Sequence, residues 1–265
     1  MKITILTISS PNEKYSEMKK IQTEYYSNFP NIKLYFVEND EKQKEKIRVV
    51  DNIIYVKGTE HILHILYKTI AGMKWLKNNI DCDWFIRTNL SSIININVLE
   101  GALNRFLNSG HKSLFTGPII MTTTILNILS GISNDIKDID DRFSLVVIDK
   151  KKSAGINDYK YVNHQFVSGS CIILSKDMFY DICDNSHLIK YFLPDDVGLS
   201  EYFVEYHPET AYSLNLSYAK DISEPEDDIC LYRFHSYIDR SQDIINMEKI
   251  VNALLKNEKN KIKDI

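Results

Sequence analysis

Asp83 to Ser92 reads DWFIRTNLSS. Trp84, Phe85 and Ile86 follow one another without the polar alternation of a half-wet strand. Asp83 to Thr88 is therefore predicted as a buried strand, of the kind found in a parallel sheet covered by helices. Asn89, Leu90 and Ser91 close it. Asn and Ser favour turns at strand ends, and the end of a buried strand is also where α/β sheets bind ligands. Asn89 and Ser91 thus read either as a capped turn or as a ligand-binding turn.

Upstream, strand and helix signals alternate. Ile3 to Ile8, Ile32 to Val37 and Ile53 to Val56 are β-rich runs. Ser10, with Pro11 in the first turn, is expected to cap a helix whose face carries Tyr15, Met18, Gln22 and Tyr25. Ile62, Leu66, Ile70, Met73 and Leu76 recur at helical spacing from His61 to Lys77. Downstream, Val98, Leu99, Ala102, Leu103 and Phe106 mark another amphipathic helix. Leu114 to Ile148 mixes β-rich runs with a polar loop and receives no assignment. Phe166 and Val167 lead through Ser168, Gly169 and Ser170 into a strand from Cys171 to Leu174. Ser175 is expected to cap the next helix, with Asp177 in its first turn. Pro194, Asp195 and Asp196 open a further helix reaching Tyr206. Leu231 to His235 is a late strand, and Ile244, Ile245, Ile250, Leu254 and Leu255 belong to a closing helix. The whole chain, 1 to 265, reads as one α/β domain, with about 240 to 265 as a C-terminal helix packed on it or partly frayed.

Composition supports a packed enzyme-sized domain. Of 265 residues, 44% are hydrophobic and 26% charged, which excludes a disordered chain. A net charge of −4 argues against a sequence-independent nucleic-acid binder. The basic runs Lys150 to Lys152 and Lys256 to Lys263 read as solvated surface beside acidic Glu224, Glu226, Asp227 and Asp228. Cys82, Cys171, Cys183 and Cys230 form no C-x-x-C pair and no zinc spacing. No apolar run is long enough to span a bilayer, and the N-terminus reads as a strand rather than a signal peptide. A cytoplasmic setting is the expectation, and the wealth of Ile, Asn and Lys points to a low-GC coding sequence, bacterial or viral. Asn89 and Asn215 each begin an N-x-S match that is expected to be chance. No P-loop, dinucleotide fingerprint, zincin or nucleophile-elbow motif occurs.

Five segments in order carry a resemblance: Tyr67 to Gly72 ahead of Trp75, Asp83 to Ser92, Phe166 to Asp177 (FVSGSCIILSKD), Leu193 to Gly198 (LPDDVG) and Arg233 to Ser236 (RFHS). Together, over Ile62 to Ser236, the chain resembles the Fringe-like and β-1,3-galactosyltransferase superfamily. The resemblance implies a GT-A fold, a nucleotide-sugar donor, UDP being favoured, a glycan or other hydroxyl acceptor, and inversion at the anomeric carbon. In that family the strand matching Trp84 to Thr88 ends in an acidic triplet whose outer carboxylates hold a divalent metal. Here those positions are Asn89 and Ser91. Neutral oxygens hold Mn²⁺ or Mg²⁺ weakly, so metal use is expected to be weak or absent, with Asn89, Ser91 and His235 as the remaining ligand candidates.

The expected donor-binding set is Thr7, Lys68, Arg87, Asn89, Ser91, Ser168, Gly169 and His235. Lys68, Arg87, Arg233 and His235 are the cations able to offset charge on the leaving diphosphate. Small Ser168, Gly169 and Ser170 let backbone approach a ligand. Asp196 matches the family's base and is the candidate to accept the acceptor's proton, while Asp195 is expected to cap the helix. Two rival classes remain open at this point. One is a retired transferase that binds without turnover. The other is a metal-dependent phosphoesterase built on Asp138 to Asp141 and Glu224 to Asp228.

Overall fold

The structure, a computed structural model, describes residues 1–61, 64–122, 164–191, 193–210, 216–220, 224–226, 228–236 and 240–263. Ile62, most of the segment from Leu114 to Ile148, Asp138 to Asp141, Lys150 to Lys152, Asn215 and Asp227 lie outside the described residues.

The chain begins with β1 (Ile3–Ile8), α1 (Ser16–Tyr26) and β2 (Ile32–Asp40). A hairpin of β3 (Ile47–Val50) and β4 (Ile53–Lys57) follows, then α2 (Ile65–Asn79) and β5 (Trp84–Asn89). Next come β6 (Ser92–Ile94), α3 (Ile96–Asn108), β7 (Phe115–Thr116), β8 (Ile119–Thr122), β9 (His164–Val167) and β10 (Cys171–Ser175). The last elements are α4 (Lys176–Asp184), α5 (Asp195–Tyr206), β11 (Tyr218–Lys220), β12 (Leu231–Arg233) and α6 (Arg240–Lys263).

Seven strands form the central sheet in the order β3-β4-β2-β1-β5-β10-β7. β4, β2, β1 and β5 are parallel, while β3, β10 and β7 add antiparallel partners. The chain moves outward from β1 through β2 to β4, then returns to the other side of β1 as β5, so the strand order reverses there. In open α/β sheets, that reversal leaves a crevice at the carboxyl ends of the strands. A three-stranded sheet, β11-β12-β6, continues from the end of β5 and carries the C-terminal segment across it.

The buried period-two pattern has a direct cause. Ile3, Ile5, Trp84, Ile86, Cys171 and Ile173 face one core, with α1, α3 and α6. Leu6, Ile8, Phe85, Ile172 and Leu174 face the other, with α2, α4 and α5. Both faces of β1, β5 and β10 are therefore covered, and apolar burial on both sides accounts for their near-continuous hydrophobic runs.

Several details differ from expectation: α2 begins at Ile65 rather than His61, and β12 ends at Arg233 rather than His235. The first helix does not begin at Ser10 and Pro11; a short 3₁₀ turn at Glu13–Tyr15 precedes it, and no side chain caps it. Ser9 explains the delay, because its N–H donates to the Val37 carbonyl (3.0 Å) and its hydroxyl to Glu38 (2.6 Å). Chain tied to β2 in this way cannot yet coil. Ser175 does stand at the start of α4 with extended backbone, but its hydroxyl makes no cap bond. It accepts from Leu114 N–H instead (2.9 Å). β3 was not expected; its hairpin turns at Asp51, which adopts φ 52, a left-handed conformation that Asp tolerates.

Gly117 marks the tightest approach near the site. A Cβ there would stand 2.1 Å from the Cys171 carbonyl oxygen and 2.4 Å from Val167 Cγ1. Neither a strand carbonyl nor a buried valine yields easily, so Gly117→Ala is expected to cost about 1–3 kcal/mol and to lower the melting temperature by several degrees. A melting temperature within about 1 °C of wild type would show that this turn relaxes freely.

Candidate functional site

A cavity of about 460 Å³ lies where the strand order reverses. Ile8, Ser9 and Ser10 line it from the end of β1, Asn89, Leu90 and Ser91 from the end of β5. Lys68 on α2, together with Arg233 and Arg240 from the C-terminal segment, supplies its cations. A larger hollow of about 750 Å³ sits at the opposite end of β5, by Asp83, Trp84 and Tyr180. That end of a parallel sheet is the unfavoured one for ligands, and it meets none of the residues expected to bind the donor.

The turn at Asn89 is held from below. Gln22 of α1 is fully buried. Its amide donates to the carbonyls of Asn89 (3.0 Å), Leu90 (2.9 Å) and Ser92 (2.9 Å). Thr7 donates to the Gln22 carbonyl oxygen at 2.9 Å. Thr7 was expected at the donor; instead it lies beneath the cavity as part of this scaffold. From above, Phe234 N–H donates to the Ser91 carbonyl at 2.9 Å, and Arg233 reaches Ser92 Oγ at 3.3 Å. Backbone clamped on both sides leaves the Asn89 and Ser91 side chains at the cavity wall in one arrangement.

Lys68 is almost fully buried, donates to the Ser9 carbonyl at 2.7 Å and pairs with Glu60. Burial pushes its ammonium below the usual lysine range, with Glu60 opposing that shift. It is thus a fixed positive charge in the floor. His235 does not line the cavity, but Arg233, Arg240 and Lys220 act on it, and burial with those cations lowers its pKa. An imidazole in such surroundings stays neutral at pH 7.

Beside the cavity, the acidic start of α5 meets β5 and the turn before β10. Arg87 is only 2% exposed and forms a buried ion pair with Asp195. Thr69 also donates to Asp195, at 3.4 Å. Arg87 Nε and Nη1 have no partner among the described residues. Nη1 points at Gly169, where a Cβ would stand 2.7 Å from it and 3.2 Å from Asp196 Oδ2. Asp196 accepts from Gly169 N–H (3.0 Å) and Val197 N–H (2.9 Å). Burial, reinforced by neighbouring Asp195, pushes the Asp196 carboxyl up to about 6, while Arg87 and the two N–H groups pull the other way. The turn itself is tied by Thr88 Oγ1 to the Ser170 carbonyl (2.7 Å) and by Ser170 Oγ to Ser168 Oγ (2.9 Å).

Of the residues anticipated from sequence, Lys68, Asn89 and Ser91 share the cavity. Arg87, Gly169 and Asp196 share the adjoining cluster, with Ser168 in its turn. Asp195 departs from its expected part, since it crosses to Arg87 rather than capping α5, whose N-cap, Pro194, has no side-chain donor or acceptor to offer. A buried guanidinium demands a carboxylate partner more strongly than a helix end demands a cap. Gln22 and Arg240 were not anticipated. Gln22 stood in the helical pattern only as a member of the packed face, and Arg240 in no pattern at all.

No protein-family model matches the chain, and no curated protein sequence matches it. Among solved structures, it is similar to a glycosyltransferase involved in the glycosylation of the major capsid of PBCV-1: 14% identity over 94% of this chain and 100% of that one, TM-score 0.47. It is also similar to the galactosyltransferase LgtC, solved with donor and acceptor sugar analogs, at 10% identity over 96% and 95% of the chains, TM-score 0.38. A third is HddC from Yersinia pseudotuberculosis, at 13% identity over 97% and 99%, TM-score 0.34. At such identities and TM-scores, none of the three assigns an activity to this chain. No helix among the described residues is long and apolar enough to cross a membrane.

Proposed function

We propose that the chain is a glycosyltransferase of GT-A type, binding a nucleotide-sugar donor, UDP-linked by the sequence resemblance, at the ends of β1 and β5. It passes the glycosyl group with inversion to a hydroxyl of a glycan or similar acceptor. The observation that carries this reading is that the LPDDVG and FVSGS segments meet each other, Gly169 N–H on Asp196, and meet β5 through the Asp195–Arg87 pair, while the end of that same strand lines the cavity at the strand reversal.

The chemistry follows from the groups present. Attack on an anomeric carbon needs a carboxylate to take the acceptor's proton as the oxygen attacks. Asp196 is buried enough to be more basic than ordinary aspartate, yet ionised at neutral pH. Its Oδ2 accepts from Gly169 N–H, and the missing side chain there leaves room for the Arg87 guanidinium to approach. Negative charge develops on the departing diphosphate, and fixed cations offset it without reorganising. Arg233 and Lys68 supply such charge at the cavity.

A hard divalent ion fits this site poorly. Asn89 and Ser91 offer neutral oxygens, and the nearby carboxylates Glu60 and Asp195 are already paired with Lys68 and Arg87. Among the described residues, no group of three or more His, Cys, Asp or Glu is arranged to hold a metal. We therefore expect turnover to survive EDTA largely intact. Complete loss in EDTA, restored by Mn²⁺, would overturn the metal-independent part of the proposal.

The donor site is tested by thermal shift with a panel of UDP- and GDP-sugars, each with and without Mn²⁺. A ligand that binds only the native state adds about 2.7 kcal/mol at a hundredfold excess over Kd. At least one sugar nucleotide is expected to raise the melting temperature by several degrees. If none does so at millimolar concentration, the donor-site reading fails.

A further inference from the structure

We propose that Arg240, held in place by Asp243, joins Arg233 in a two-arginine clamp that grips the donor's diphosphate where a metal ion would otherwise sit. The inference rests on the donor-site reading and names the groups that bind its charged part.

Both arginines line the same cavity as Asn89 and Ser91. They arrive from different places: Arg233 from the end of β12, fastened to Ser92, and Arg240 as the first residue of α6. Position makes Arg240 unusual. A cation at a helix N-terminus faces the positive end of the helix dipole, so the local helix gives no reason for one there. Asp243 supplies the hold. It is 2% exposed, accepts from Arg240 Nη1 at 2.6 Å and from Ser236 N–H at 2.8 Å. One buried carboxylate thus holds both the Ser236 backbone and the Arg240 guanidinium.

The charge balance points to an anion. Arg233, Arg240 and Lys220 bring positive charge to this corner, and among the described residues Asp243 is the carboxylate that acts on it. Burial, Arg87 and Arg240 together push Arg233 down to about 10. A pyrophosphate group placed between the two guanidinium forks would relieve that crowding. It would also accept paired N–H bonds, for which planar guanidinium is better suited than ammonium.

The test titrates the protein, in EDTA, with UDP, GDP, their monophosphates and inorganic pyrophosphate by calorimetry. Arg240 is partly exposed and Gln can still donate to Asp243, so Arg240→Gln is expected to fold, which its melting curve checks. It and Arg233→Gln are each expected to weaken nucleoside diphosphate binding roughly 10- to 100-fold, and the monophosphate far less. Asp243→Asn is expected to reduce the preference for diphosphate over monophosphate; a merely structural role would weaken both equally. Wild-type affinity for the diphosphate in both arginine variants overturns the clamp and leaves the donor site standing. Absence of any nucleotide or pyrophosphate binding to the wild type overturns both.

Discussion

Asp196→Asn is expected to lower turnover by about 10²- to 10⁴-fold, the usual contribution of a positioned general base, while donor affinity stays near wild type. The substitution is nearly isosteric, but Gly169 and Val197 N–H donate to different carboxylate oxygens, so the amide oxygen of Asn keeps only one of those bonds. For the reaction, what it removes is basicity. The pH dependence gives a second reading of the same role. With Asp196 pushed up to about 6, wild-type kcat/KM should rise tenfold per pH unit below 6 and level off above it, where the carboxylate is ionised. Stability runs the other way. A carboxyl whose folded pKa lies above its unfolded value binds its proton more tightly when folded, so its stabilising contribution is lost as pH rises through 6. The difference in melting temperature between wild type and Asp196→Asn should therefore shift in favour of the variant as pH rises from 5 to 8. Asp195→Asn, the obvious neighbouring control, breaks a buried ion pair and does not serve as a neutral one. Retention of more than about a tenth of wild-type turnover by Asp196→Asn, or a flat pH profile between 5 and 7, would place the base elsewhere.

Arg87→Leu should be the most destabilising of the site variants, by about 3–5 kcal/mol. Its guanidinium and the Asp195 carboxylate are both buried and paired across the junction of β5 and α5. Removing one charge leaves the other without partner in a low-dielectric setting, which costs far more than the pair is worth net. The double variant Arg87→Leu with Asp195→Asn removes both charges and is expected to recover at least half of that loss, a coupling well above 1 kcal/mol. Urea unfolding of wild type, both single variants and the double variant measures it. Additive single effects, or a loss under about 1 kcal/mol for Arg87→Leu, would show that the pair is solvated and that Arg87 is not the fixed charge described above. Nε and Nη1, without partner among the described residues, set a further expectation: donor binding should suffer in Arg87→Lys even if that variant folds, because an ammonium cannot reach two directions at once.

β1, β5, β10 and the helices α2, α3 and α5 were legible in the sequence, because their signals are local. A strand buried on both faces must be apolar at successive positions, and an amphipathic helix repeats every three or four. Asn89 and Ser91 are marked locally, by standing at the end of a buried strand, whereas Lys68 and Asp196 come forward only through the family resemblance. β3 was not, since a four-residue edge strand half open to solvent needs no distinctive pattern. The start of α1 was misplaced because Ser10 and Pro11 have local helix-start chemistry, while the competing bonds from Ser9 go to β2, about 30 residues away in sequence.

Sequence by itself determined which segments become the sheet, which ends of those strands carry polar turns, and that Asn and Ser rather than carboxylates stand at the end of β5. Only the tertiary structure decided what each polar group does. Asp195 went to Arg87 and Asp196 to Gly169, Thr7 went under the site through Gln22, and Arg240 reached the cavity wall. Hydrophobic periodicity is repeated along a segment and so survives in the linear code. Hydrogen bonds and ion pairs between single side chains are made once, across separations such as the 108 residues from Arg87 to Asp195. They depend on which surfaces the packed sheet and helices bring face to face.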